Sequence, residues 1–105
     1  MKLTSKERSF LRKLAHDIEP VVRIGKSGLS EEVLESIKLA INKQELIKVK
    51  ILQNSNEVIT RDFENIIEKY ASCLAVYDIG HTMIFFKSKQ KGKITQQFLE
   101  FRKSN

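Results

Sequence analysis

The sequence has one cysteine, one proline, four glycines and no tryptophan in 105 residues. A lone Cys73 cannot close an intrachain disulfide, so stability has to come from an apolar core, and a reducing, cytoplasmic setting is expected. No apolar run approaches the roughly 20 residues of a membrane span. The opening MKLTSKERSFLRK carries charge where a secretory leader needs an apolar stretch, so no targeting segment is expected. His16 and His81 are the only histidines, and neither has a metal-ligand partner at a standard spacing. Cys73 ends an apolar helical stripe and reads as a small core residue rather than a nucleophile. Ser27 has no evident base. These absences leave little for catalysis: no enzyme activity, metal, cofactor or small-molecule substrate is expected.

What is present is a globular balance, 41% hydrophobic and 30% charged, sized for one domain. The net charge of +6 is unevenly placed. Residues 1–30 hold seven Lys/Arg against three acids, residues 31–70 six against eight, and residues 71–105 six against two. Two basic ends flank an acidic middle. If the ends meet in space they form one positive surface suited to a polyanion. An anionic membrane would need a basic amphipathic helix with apolar anchors left free, and here the apolar faces are needed for the core.

Hydrophobic spacing divides the chain into alternating elements. Thr4 to Glu7 reads as a capping box opening a helix to about Asp17, with Phe10, Leu11, Leu14, Ala15 and Ile18 inward. Arg8, Arg12, Lys13 and His16 lie on its other side, which is almost free of acids. Pro20 ends that helix, and Val21–Ile24 reads as a short strand. Ser30 caps a second helix over 31–43, with Val33, Leu34, Ile37, Ala40 and Ile41 inward. LIKVKIL (46–52) alternates with period two, Ile47, Val49 and Ile51 facing one way and Lys48 and Lys50 the other. A third helix over 58–72 points Ile59, Phe63, Ile66, Ile67 and Tyr70 inward. Strands 74–79 and 82–87 then meet at a Gly80-His81 hairpin. Phe85 and Phe86 should face opposite sides of the sheet and read as packing rather than a base-stacking platform. The order α-β-α-β-α-β-β implies an α/β domain over 1–90, with a four-stranded mixed sheet packed against helices. Residues 91–105 read as a basic tail, whose Phe98, Leu99 and Phe101 would dock it if it were helical.

Gly25-Lys26-Ser27-Gly28 is the most informative segment. It joins a strand to a helix, where free N–H groups and the helix dipole favour an anion. Two glycines let a phosphate backbone come close, and Lys26 and Ser27 add a charge and a hydroxyl. A plain structural turn needing positive φ is the alternative, and Glu31 and Glu32 just inside the helix oppose an ideal anion site. A Walker loop would need glycine at position 20, where Pro20 stands. A dinucleotide fingerprint would need one at position 23, where Arg23 stands.

The runs LTSKERSFLRKLAH, PVVRIGKSGLS, ELIKVKIL and IGHTMIFFK resemble, in that order, the CRM domain (chloroplast RNA splicing and ribosome maturation) in its bacterial stand-alone, YhbY-like form. The resemblance covers residues 2 to about 90. It implies a fold similar to the C-terminal domain of translation initiation factor three, and RNA as the partner. Bacterial members are associated with precursors of the large ribosomal subunit, so ribosomal RNA is the expected ligand. The family's GxxG loop falls on Gly25, Lys26, Ser27 and Gly28, and is likened to the backbone-gripping loop of KH domains. Arg8, Arg12, Lys13, Lys87 and Lys89 are candidates to extend the RNA surface. Where the family commonly ends its last strand in tyrosine-arginine, this chain has Phe86-Lys87, losing a hydroxyl and a planar guanidinium. A protein-docking module on the ribosome or another ribonucleoprotein, touching RNA incidentally, is the competing reading. A phosphate-ester enzyme is a third.

Overall fold

The computed structural model describes residues 2–104. Its elements are α1 (Ser5–Ala15), β1 (Val22–Ile24), α2 (Glu31–Gln44), β2 (Leu46–Ile51), α3 (Arg61–Ala71), β3 (Leu74–Ile79), β4 (Thr82–Phe86) and α4 (Lys93–Ser104). The expected order holds for the first seven. The capping box opens α1: the Thr4 amide donates to Glu7 Oε1 at 2.9 Å and the Glu7 amide to Thr4 Oγ1 at 3.1 Å. The third helix starts later than position 58 because Thr60 is its cap, its hydroxyl accepting the Phe63 amide at 3.1 Å.

The four strands form one mixed sheet in the order β1-β2-β4-β3, with β1 parallel to β2 and the other pairs antiparallel. Helices cover both faces, which creates two cores. The first gathers Val22, Ile24, Ile47, Val49, Ile51, Met83 and Phe85 from the sheet against Ile37 and Ile41 of α2 and Phe63 and Ile67 of α3. The second gathers Leu46, Val76, Ile84 and Phe86 against Leu11 and Ala15 of α1 and Phe98 of α4. Phe85 and Phe86 are thus both fully buried, one on each face, as strand alternation demands. In α3 the inward line is Phe63, Ile67 and Ala71, four residues apart. Ile66, one position off that line, is 51% exposed, and Tyr70 is half-buried, so neither joins the core as expected.

The segment expected as a basic tail contains α4. Its Phe98 ring tilts against Phe86 at 5.2 Å between centroids, and Phe101 stacks on Phe10 of α1 at 4.4 Å. Complete burial of Phe98 contributes about 1.5–3 kcal/mol, enough to hold a short amphipathic helix on a ready apolar face. Polar contacts fix its start. Glu45, in the turn after α2, accepts the Thr95 amide at 2.8 Å and the Thr95 hydroxyl at 2.6 Å. Its carboxylate would stand 2.1 Å from a Cβ at position 92, so Gly92 leaves room for that contact.

Strand β3 contains a bulge. Ala75 pairs with Phe85 and Tyr77 with Ile84, so Val76 has no partner in the ladder. Ala75 enters the first core and Val76 the second, and Arg8 Nη1 donates to both of their carbonyls, at 3.1 and 2.9 Å.

Candidate nucleic-acid interface

The Gly25–Gly28 turn lies at the end of the sheet where β1 and β2 finish and the β3–β4 hairpin turns. Leu52 N–H donates to the Ile24 carbonyl and Ile51 N–H to that of His81, which sets the three connections side by side. The turn is closed by the Gly28 amide donating to the Gly25 carbonyl at 3.0 Å. Gly28 has φ +67° and a carboxylate against it: Glu57 Oε2 lies 2.8 Å from where a Cβ would stand. A side chain here meets both backbone strain and a steric block.

That carboxylate changes what the loop offers. Glu57 Oε2 accepts the Leu29 amide at 2.8 Å, and Ser30 Oγ accepts the Val33 amide, so two donors at the start of α2 are taken by the protein itself. Glu31 and Glu32 add negative charge in the first turn. The helix start is thus partly satisfied from within, by the Glu57 carboxylate at the amide ahead of the Ser30 cap and by the Ser30 hydroxyl at that of Val33. What points outward is the tip. Lys26 and Ser27 are exposed, and among the described residues neither their amides nor their side chains have an intramolecular partner. The tip can meet a phosphate with one ammonium, one hydroxyl and two amides.

The other expected residues separate into three groups. Arg8 is engaged at the β3 bulge. Arg12 lies on the Tyr77 ring, 4.2 Å from its centroid, with its edge free to reach solvent, and the Lys13 side chain is exposed with no partner among the described residues. Lys87 and Lys89 lie at the other end of the sheet, because Leu46 pairs with Phe86 and the Lys87 amide meets the Glu45 carbonyl. The five residues of β4 put about 14 Å between that end and the glycine loop. Lys87 Nζ is also bonded to Asn42 Oδ1.

The basic ends do meet. Glu7, the one acid of α1, accepts from Arg102 Nε at 2.7 Å, and that guanidinium holds the Glu7 carboxyl below the usual range, helped by the Thr4 amide. Its charge is answered inside the α1–α4 pair. Sequence reasoning overlooked Glu57, which has no local signal, and it did not count Arg23, Lys48 and Lys50 as a site. The alternation of β2 was visible, but the neighbour of Lys50 depends on strand register, which pairs it with Arg23.

The one cysteine is buried. Burial pushes the Cys73 thiol up to about 12, with Glu68 adding to the effect, so it stays protonated and inert at neutral pH. Among the described residues no group of acidic, histidine or cysteine side chains could hold a metal ion. No described helix is long and apolar enough to cross a membrane.

Comparison with known proteins gives concordant matches. The CRS1/YhbY (CRM) domain profile matches residues 3–87. The chain is 37% identical over 92 residues to an RNA-binding protein of Haemophilus influenzae, covering 88% of this chain and 92% of that protein. It is 34% identical over 91 residues to the probable RNA-binding protein YqeI of Bacillus subtilis, covering 87% and 94%. A solution structure of a Staphylococcus aureus protein superposes with a TM-score of 0.64 at 31% identity, over 89% of this chain and 96% of the other.

Proposed function

The chain belongs to the CRS1/YhbY (CRM) domain family, and from that premise we propose that it is a cytoplasmic RNA-binding protein, not an enzyme, gripping phosphate backbone through Gly25–Gly28. The observation that carries this reading is the loop tip, where Lys26, Ser27 and their unbonded amides project from the edge of a basic face. Two relatives named for RNA binding, each matched over nearly its full length, support RNA as the partner. Arg12 and Lys13 extend the surface on α1. Assembly of the large ribosomal subunit is the proposed setting, with precursor ribosomal RNA as ligand.

The test is salt-dependent binding to a ribosomal RNA fragment. Lys26→Ala should weaken binding across RNA sequences and lower the slope of log K against log salt by about one unit. Unchanged slope and affinity would refute the loop assignment. Lys26 is a cleaner probe than Gly28, whose substitution also disturbs the fold. For the setting, the tagged protein should sediment with large-subunit precursors in a sucrose gradient and be released by RNase. Association that survives RNase would point to a protein-docking module instead.

A further inference from the structure

We propose that the uncovered corner of the sheet carrying Arg23, Lys48 and Lys50 is a second phosphate-backbone subsite, continuous with the glycine loop. This rests on the RNA-binding reading and assigns the direction in which the RNA leaves the loop.

The corner is bare because the α1–α4 layer is narrower than the sheet. The sheet residues of the second core come from β2, β4 and β3, and β1 contributes none. On this face β1 presents Arg23 and β2 presents Lys48 and Lys50. The register sets Arg23 beside Lys50 and Lys50 beside Thr82. Adjacent strands lie about 4.8 Å apart, and like charges placed side by side across them destabilise a sheet. Arg23 and Lys50 are nevertheless exposed, and among the described residues neither side chain has a hydrogen-bond or ion-pair partner. Lys48 is steadied by donating to the His16 carbonyl at 3.0 Å. A polyanion lying across the corner removes the repulsion.

The acids around the loop decide the direction. On the α2 side stand Glu31, Glu32 and Glu57. On the sheet side, Arg23 stands two residues ahead of Gly25 on β1, and Lys50 is its register partner on β2. Beyond them is a cleft of about 410 Å³, with Lys48, Lys50 and Thr82 from the sheet and the His16–Pro20 segment opposite. Asp17 and Glu19 belong to that opposite wall and bound the positive ground. An RNA strand leaving Lys26 therefore meets repulsion along α2 and attraction across Arg23, Lys50 and Lys48.

The experiment compares full-length wild type, Lys26→Ala, an Arg23→Gln/Lys50→Gln double variant and Lys69→Gln on α3, binding a fluorescein-labelled ribosomal RNA fragment from 50 to 300 mM salt. The double variant should lose about 1.5–2 units of salt slope and about tenfold or more in affinity at 100 mM. Its thermal midpoint should stay level or rise, because the like-charge pair is relieved. Arg23→Lys/Lys50→Arg should keep the slope, and Lys69→Gln should match wild type. A double variant that binds like wild type while Lys26→Ala is impaired would overturn the subsite and leave the loop reading standing. A lowered midpoint in the double variant would contradict the repulsion argument. Wild type that shows no salt-dependent RNA binding would overturn both readings.

Discussion

The two helical layers of this small domain differ in charge and in how much of the sheet they cover. Helices α2 and α3 each carry two basic residues against three acids, whereas α1 carries four against one and α4 three against one. The acidic layer closes its core against residues from all four strands; the basic layer reaches only three. Acids are also used differently. In α3, Glu68 accepts the Ala75 amide at 2.7 Å and so braces the edge strand, while Glu64 lies beside Asp78. In α1 the single acid caps its own helix and pairs with α4. The difference assigns roles: one face is built to hold the sheet, the other to hold it while presenting cations.

The largest expected contrast is between buried and exposed apolar residues of the two layers. Phe98→Ala should cost about 3–5 kcal/mol in urea unfolding, while Ile66→Ala should stay within about 0.5 kcal/mol. Similar small losses from both would mean that α4 is not part of the core. Next in size is the division of labour on α1. Arg8→Ala strands two bulge carbonyls and should cost about 1–3 kcal/mol, while Lys13→Ala should leave stability alone and lower RNA affinity. Loss of RNA binding in a fully stable Arg8→Ala protein would move Arg8 back to the interface.

The smallest effect lies on the acidic face. Burial first, and the neighbouring Asp78 next, raise the Glu64 carboxyl from 4.5 to about 6, against the pull of Arg61. A folded-state pKa above the unfolded one means the native form binds the proton more tightly. The group therefore favours folding below pH 4.5, and that benefit is lost as pH rises through 6. At pH 7, Glu64→Gln should be the more stable protein by about 1 kcal/mol, since solvent and Arg61 screen the full effect. Thermal melts should show the gap closing between pH 7 and pH 5. A gap independent of pH would remove Glu64 as the titrating group.

Much of this was legible along the chain, because local periodicity and capping report on contacts three or four residues apart. The Thr4–Glu7 box, the Ser30 cap, the alternation of Ile47, Val49 and Ile51 and the Gly80-His81 hairpin all stand as read. The boundary of α3 and the fate of Ile66 were misread because several apolar residues competed for one face. Helix α4 was left open for a related reason. Its polar surface resembles a solvated tail until Phe86 and Leu11 provide something for Phe98 to cover.

The sequence by itself determined the order of the first seven elements, the two faces of β2, the position of the glycine turn and the basic character of both ends. These are properties of neighbours in the chain. Only the tertiary structure decided that Glu57 takes the Leu29 amide, that Arg8 serves a bulge, that Lys87 and Lys89 lie far from the loop, and that Arg23 stands beside Lys50. Each of those depends on strand register and layer packing. Electrostatic and hydrogen-bond energies act over a few ångströms of space, whatever the number of residues between the partners.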